Sequence, residues 1–339
     1  MSFLIGAIKV IFLLGFLILI HEGAHFLVAK KCKIAIREFS IGFGPKILSK
    51  TKDNIKYSVR AIPLGGFVDM YDEGKDLNGK TAFMNSSKSK RFAVTIAGII
   101  VNVFFGFLVY FILSTTTQNI SNTIDYVEPE SSVALQELKS GDIIKEINGQ
   151  KIHLKSQIDM AIVASAKDSA ELKIERNGET LTVTIPIKKV VDEETGNVSY
   201  RLGVYMKRAE NNIPSKLYYS FWKTAYFAES LGNSVLELFK GNVTPNDMVG
   251  PVGISEMIVE TNGIYEFFYL MALISISLGI TNLLPIPGLD GGRLLLIILE
   301  AIRRKPLKTE TEAQIQLLGF SFLIMLSLYV TFNDVIRIF

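Results

Sequence analysis

The sequence predicts a polytopic α-helical membrane protein with four transmembrane helices and one small α+β domain between the second and third of them. Of its 339 residues, 49% are hydrophobic, and the mean hydropathy is positive, which is unusual for a soluble protein. Four stretches carry enough apolar residues to cross a hydrocarbon core of about 30 Å. These predicted spans are Phe3–Ala29, Phe92–Leu113, Tyr265–Ile302 and Ile315–Ile338.

The first and third spans differ from simple membrane-crossing helices. The first is expected to remain as an anchor, because its apolar run is longer than the core of a secretory signal, includes Lys9 and precedes no small-residue cleavage pattern. The third is interrupted by Pro285, Pro287 and three glycines, and it is too short for two full spans. It is therefore interpreted as one interrupted span. The single cysteine, Cys32, excludes an internal disulfide.

The distribution of charge predicts the orientation, because cytoplasmic loops collect Lys and Arg. Residues 30–60 contain nine basic and two acidic residues, and a second basic loop follows Arg303. Residues 119–216 are balanced, with 13 basic and 15 acidic residues. We therefore expect both basic loops inside the cell, and the central segment and both termini outside. The net charge of +3 gives no reason to expect a nucleic-acid partner.

Two segments between the spans have their own patterns. In 120–206, Asn148-Gly149 and Asn177-Gly178 each separate alternating runs, which is typical of β-hairpins. We expect this domain to fold by itself outside the membrane. The linker at 207–262 contains an apolar but charge-punctuated helix at 213–241, predicted to lie at the membrane interface. The aromatic residues expected at headgroup depth are Tyr218, Tyr219, Trp222 and Tyr226.

Three ionisable residues stand in the middle of the first span, in the stretch HEGAH at 21–25. Residues four apart share a helix face, so His21 and His25 can bind one Zn²⁺ while Glu22 takes a proton from the attacking water. His21 lies about 13 Å from the boundary at Lys30, and ionisable groups at such depth usually mark a functional site. The alternative is a set of isolated polar residues satisfied within a helix bundle.

A catalytic zinc site of this kind requires a third protein ligand. Glu38 is the nearest carboxylate downstream, but it lies in a basic, strand-prone loop. Asp290 is preferred, because it is another carboxylate at membrane depth. The prolines and glycines around it interrupt the helix, and the backbone groups that lose their helical hydrogen bonds must find partners within protein or in a wet cavity. The alternative for Asp290-Gly291-Gly292 is a polar kink between two half-helices.

HEGAH in the first span, NLLPIPGLDGG at 282–292 and the domain between the middle spans together resemble the site-2 protease family, and in particular its RseP-like bacterial zinc intramembrane proteases. The resemblance covers nearly the whole chain. It implies that His21, His25 and Asp290 are zinc ligands and that Glu22 is the general base. SGDIIKEING at 140–149 is similar to the PDZ domains of this class, which implies a domain that either captures peptides or excludes large substrates.

The resemblance also implies roles in substrate binding. Asn282 matches an asparagine that helps hold the substrate near the metal. Residues 60–68, within a loop at about 35–70, resemble a membrane-reentrant β-loop, with Gly65 and Gly66 at matching positions; a plain cytoplasmic hairpin is the alternative. AGIIVN at 97–102 resembles a motif of the second span and implies substrate binding by Asn102, although Ile99 replaces a common proline.

The expected function is therefore zinc-dependent intramembrane proteolysis in the cytoplasmic (inner) membrane. The expected partners are the lipid bilayer and single-span membrane proteins already cut by another protease, such as anti-sigma factors or remnant signal peptides. Two alternative functions would also account for some of these motifs. A membrane metal transporter or sensor would use the ligands without Glu22, and a PDZ scaffold would recruit partners without catalysis.

Overall fold

The computed structural model describes residues 2–74, 79–128, 137–165, 169–191, 198–242, 248–305 and 307–338. The chain folds as two compact units. One comprises Met1–Val109 with Tyr226–Phe339, and the other is Tyr110–Ala225. The second unit contains the whole of the segment 120–206 for which the sequence predicts a separate domain.

The described residues form eight helices and ten strands. The helices are α1 (Ser2–Lys31), α2 (Lys88–Thr116), α3 (Lys155–Ser165), α4 (Ile213–Phe239), α5 (Pro251–Glu260), α6 (Ile264–Leu283), α7 (Asp290–Arg303) and α8 (Thr309–Ile338). The strands are β1 (Ile36–Lys52), β2 (Ile55–Met70), β3 (Ile120–Val127), β4 (Ile143–Ile147), β5 (Gln150–Lys151), β6 (Ser169–Arg176), β7 (Glu179–Pro186), β8 (Lys188–Val191), β9 (Val198–Arg201) and β10 (Val204–Arg208).

Four helices in the described ranges are long and apolar enough to cross a bilayer. They lie at Leu4–Lys31, Lys88–Thr116, Ile264–Leu283 and Glu310–Arg337. The third predicted span is divided: α6 ends at Leu283 and α7 begins at Asp290, so the interruption falls at the prolines and glycines. Helix α4, Ile213–Phe239, is not among these four.

The start of α2 differs from the predicted span. The prediction begins the span at Phe92, after a run of charges, whereas α2 begins at Lys88. The helix continues through Arg91 because this side chain, only 2% exposed, forms an ion pair with Glu300 of α7. Lys88 also donates to the backbone oxygen of Glu300 over 3.1 Å. These charges therefore connect α2 to α7.

Lys9 is a cation within the apolar part of α1. Its Nζ donates to the backbone oxygen of Thr261 over 2.6 Å, immediately after α5 ends at Glu260. A cation at the carboxyl end of a helix satisfies carbonyl groups that have no partner within that helix. Helix α5 is not predicted from sequence, because it lies in the linker and has only ten residues.

Strands β1 and β2 form a bent antiparallel hairpin after α1. Asp53 and Asn54 make its turn with positive φ angles of 52° and 61°, as a two-residue hairpin of type I′ requires. The first part of β1 pairs with the last part of β2, with Ser40 opposite Phe67 and Ile41 opposite Gly66. The last part of β2 forms an edge of this sheet as far as the described pairs extend.

This hairpin packs closely against the middle of α1. A Cβ atom on Gly15 would lie 2.9 Å from the backbone oxygen of Pro63. A Cβ atom on Gly65 would lie 2.7 Å from the ring of Phe43 and 3.5 Å from Ile18. The bend of β2 therefore lies beside α1 one turn before His21.

The second unit contains a six-stranded sheet with strand order β10-β3-β4-β6-β7, in which β5 pairs with β4. The predicted Asn-Gly turns are found between β4 and β5 and between β6 and β7, where Asn148 and Asn177 have φ angles of 49° and 52°. Fully buried members of its own core are Ile124, Ile144, Ile147, Leu172, Ile174 and Ile185. Such a core is what an independently folding domain requires.

Candidate metal centre

Three potential ligand atoms converge inside the first unit. The Nε2 atoms of His21 and His25, one helical turn apart on α1, are separated by 3.1 Å. Oδ2 of Asp290 lies 3.1 Å from His21 Nε2 and 3.2 Å from His25 Nε2. Both imidazoles are buried, and Asp290 is partly buried. The fold thus brings together two adjacent histidines and a carboxylate 269 residues from His21.

The break between α6 and α7 places Asp290 at this point. A side chain on Gly291 would collide with the backbone oxygens of Leu283 and Leu284, and one on Gly292 with that of Ile286. Glycine is therefore required at both positions for the chain to fold back onto the start of α7. From α8, Oε1 of Gln316 accepts the backbone N–H of Gly288 over 2.6 Å and supports the loop.

The donor set and the surrounding space fit a zinc ion. Two imidazole nitrogens and a carboxylate oxygen are common zinc ligands, and tetrahedral ligands about 2 Å from one ion lie about 3.3 Å apart. His25 Nδ1 donates to the backbone oxygen of Val94 over 2.7 Å, so its Nε2 lone pair remains free. A Cβ atom on Gly98 would lie 2.5 Å from His25 Nε2 and 2.7 Å from His21 Nε2. The absence of that carbon leaves room beside both nitrogens.

Glu22 is half-buried beside these ligands but is not one of the three converging groups. Its carboxyl interacts with both histidines and with the backbone amide of Val68 in β2. The arrangement leaves a second carboxylate available for proton transfer next to the three candidate ligands.

Glu38, the alternative third ligand, has other partners. Its carboxylate accepts hydrogen bonds from Ser58 Oγ at 2.5 Å, Arg60 Nη2 at 2.8 Å and Lys46 Nζ at 3.0 Å. Burial opposes ionisation of Glu38, but these three donors outweigh it and lower its pKa to about 2. Glu38 therefore stabilises the hairpin, and Asp290 is the carboxylate that meets the histidines.

The residues predicted to bind substrate lie in three different elements. Gly66 lies in the edge strand, where a Cβ atom would be 2.5 Å from the backbone oxygen of Ser40. Asn282 is the penultimate residue of α6, immediately before the break. Asn102 contacts the ring of His21. The contribution of Gly98 is not predicted from sequence. Its position four residues before Asn102, on the same face of α2, is the sequence feature that could have indicated it.

The close approach of Gly98 gives a testable prediction. Gly98→Ala is expected to reduce zinc affinity by at least about tenfold, because the new methyl group would occupy the space beside both Nε2 atoms. Gly23→Ala is the matched control, since a Cβ atom on Gly23 meets nothing within 4 Å. Zinc competition with a chromophoric chelator would measure both variants. Equal zinc affinity in Gly98→Ala and Gly23→Ala would contradict the assigned position of the metal.

Comparison with known proteins agrees with this site. A family model described as Peptidase family M50 matches residues 9–326. A putative zinc metalloprotease of Fusobacterium nucleatum is 34% identical, covering 100% of both chains. The regulator of sigma-W protease RasP of Bacillus subtilis is 29% identical, covering 98% of both. The probable protease eep of Enterococcus faecalis is 30% identical over 98% of this chain and 99% of its own.

A local likeness to a solved structure was also found. The PDZ domain of an SdrC-like protein from Listeria innocua matches 27% of this chain at 19% identity, with a TM-score of 0.22. The family match extends across nearly the whole chain and includes both ligand motifs. The relatives' names confirm an enzyme rather than a transporter or a scaffold, with zinc as the expected cofactor. The chain therefore belongs to peptidase family M50, the site-2 protease family, and is a multi-pass membrane zinc metallopeptidase.

Proposed function

We propose that this protein hydrolyses peptide bonds within the membrane-spanning segments of single-span proteins after another protease has shortened them. The observation that carries the proposal is the convergence of Asp290 with His21 and His25, which lie beside Glu22 within a helix long enough to cross the bilayer. A hydrolytic site at this depth has intramembrane peptide bonds within reach.

The roles of the residues follow from their positions. His21, His25 and Asp290 would hold a zinc ion, which when bound supplies Lewis-acid activation of water and of the scissile carbonyl. Glu22 takes the proton of the attacking water and passes it to the leaving amine. Because Glu22 is half-buried beside the ligands, its carboxylate need not move far to serve both steps.

The β1–β2 hairpin is proposed as a membrane-reentrant loop that binds the substrate. A helical substrate has its carbonyls in intrahelical hydrogen bonds, so it must unwind before hydrolysis, and a strand edge can satisfy the released backbone groups. The packing of Gly65 near Ile18 and of Val68 near Glu22 supports this role for the edge at Gly66 to Val68. Asn282, at the end of α6, is proposed to help hold the substrate near the metal.

The source of the substrates is also a proposal. The name of the Bacillus subtilis relative points to regulation of a sigma factor, which supports membrane-bound anti-sigma factors as one class, with remnant signal peptides as another.

We place both termini and the domain at 120–206 outside the cytoplasm, on the basis of the charge distribution. In that domain a cavity of about 500 Å³ adjoins α3 and the edge strand β10, and this supports peptide capture over a purely steric role.

The proposal is tested with purified protein in liposomes containing a single-span substrate. One substrate carries its full extracytoplasmic domain and the other is truncated close to the membrane. We expect zinc-dependent cleavage inside the span of the truncated substrate and little cleavage of the intact one, with the new termini identified by mass spectrometry. Equal cleavage of both would exclude a requirement for an earlier cut, and cleavage only outside the span would exclude intramembrane hydrolysis.

A further inference from the structure

We propose that Asn102 is a positioning residue for the metal ligand His21, in contrast to the substrate-binding role that the sequence resemblance implies. In this arrangement the side-chain oxygen of Asn102 accepts the Nδ1 proton of His21. The Nε2 lone pair of His21 is then directed toward the metal. The inference rests on the proposed zinc site at His21, His25 and Asp290.

The first observation is the environment of the Asn102 side chain. Asn102 is 0% exposed, and its amide nitrogen lies 3.3 Å from His21 Nδ1. Its amide oxygen is buried and has no hydrogen-bond partner among the described residues. A fully buried amide that is hydrogen-bonded to His21, with no other side-chain partner among the described residues, is well placed to orient that ligand and poorly placed to bind an incoming peptide.

In the proposed arrangement the amide oxygen of Asn102, and not its nitrogen, faces Nδ1 of His21. A neutral imidazole carries one proton, so a lone pair on Nε2 for the metal requires the proton on Nδ1. The Nδ1 proton needs an acceptor, and the amide oxygen of Asn102 becomes that acceptor when the amide rotates by 180°. In either orientation one amide atom faces His21, so the rotation keeps the number of hydrogen bonds unchanged.

The third observation is that one face of α2 serves both histidines. Val94 accepts the Nδ1 proton of His25, Gly98 leaves room beside both Nε2 atoms, and Asn102 contacts His21. These three residues follow each other at intervals of four, so they form a single line on the helix. Ser275 of α6 donates to the backbone oxygen of Asn102 over 2.8 Å and holds this part of α2 in place.

The test compares zinc affinities of full-length protein in detergent, measured by competition with a chromophoric chelator. Asn102→Leu keeps the number and branching of the side-chain heavy atoms but removes the acceptor, so we expect about 10- to 100-fold weaker zinc binding. Asn102→Asp keeps an acceptor and should bind zinc nearly as the wild type does. Thr95→Val is the matched control, because Thr95 is a buried polar residue of α2 whose hydroxyl donates within its own helix, to the backbone oxygen of Arg91. Its zinc affinity should be unchanged.

The outcomes separate this inference from the zinc site itself. Loss of zinc binding in His21→Ala, measured in parallel, tests the site, whereas the Asn102 variants test the positioning role. Wild-type zinc affinity in Asn102→Leu with a raised KM would overturn the inference in favour of substrate binding. Equal loss in the Leu and Asp variants would also overturn it, because the acceptor would then be irrelevant. If Asn102→Leu fails to fold, Asn102→Ser replaces it, since its shorter side chain cannot reach Nδ1.

The visible spectrum of the Co²⁺-substituted protein provides a second readout. Coordination by both histidines and Asp290 gives a spectrum that Asn102→Leu should alter, because His21 would no longer be oriented. Asn102→Asp should retain the wild-type spectrum. An unchanged spectrum in Asn102→Leu would contradict the positioning role.

Discussion

Glu22→Gln is expected to abolish intramembrane cleavage while zinc binding stays at the wild-type level. Gln matches Glu in size but cannot take a proton from water, and general acid–base catalysis contributes about 10²- to 10⁴-fold. The cleavage rate should therefore fall by at least about 100-fold, with zinc content unchanged because Glu22 is not among the three converging ligands. Cleavage of the truncated substrate is measured alongside bound zinc per protein.

The two readouts of Glu22→Gln make the result specific. Retained zinc with lost cleavage supports a proton-transfer role. Loss of both would mean that Glu22 contributes to the metal site, and full residual cleavage would refute the proposed mechanism.

Asp290→Asn is expected to remove both zinc and activity. The substitution preserves size but replaces a charged oxygen ligand by a weaker neutral one, so only the two histidines remain as strong ligands. Zinc content after dialysis against a chelator should fall well below one ion per chain, and cleavage should fall with it.

The matched control for Asp290 is Asp53→Asn. Asp53 lies in the hairpin turn with a φ angle of 52°, a conformation that Asn adopts at least as readily as Asp. Asp53→Asn should keep its zinc and its activity. Full zinc retention in Asp290→Asn would remove Asp290 from the site and reopen the question of the third ligand.

Most of the candidate site could be predicted because its residues are ionisable, whereas the segments around them are apolar. His21, His25 and Asp290 are ionisable groups in apolar stretches, and a metal is the simplest reason to keep them there. The prolines and glycines around Asp290 likewise signal a broken helix. These features single out the candidate ligands without knowledge of which helices touch.

What could not be predicted is how the helices face one another. Helix α1 is apolar on all sides, with Leu13 and Leu17 fully buried and Ile8 and Leu27 exposed, so hydrophobicity does not distinguish its contact faces. The contact of Asn102 with His21 depends on such a choice of face. The extension of α2 before Phe92 depends on the same packing, because only the tertiary fold supplies the partner of Arg91.

The central claim is that His21, His25 and Asp290 bind one zinc ion, and a zinc-loaded experimental structure tests it most directly. The expected result is a single zinc ion with Nε2 of His21, Nε2 of His25 and a carboxylate oxygen of Asp290 each about 2 Å away. A zinc ion bound elsewhere, or one held by the two histidines with Asp290 remote from it, would contradict the claim.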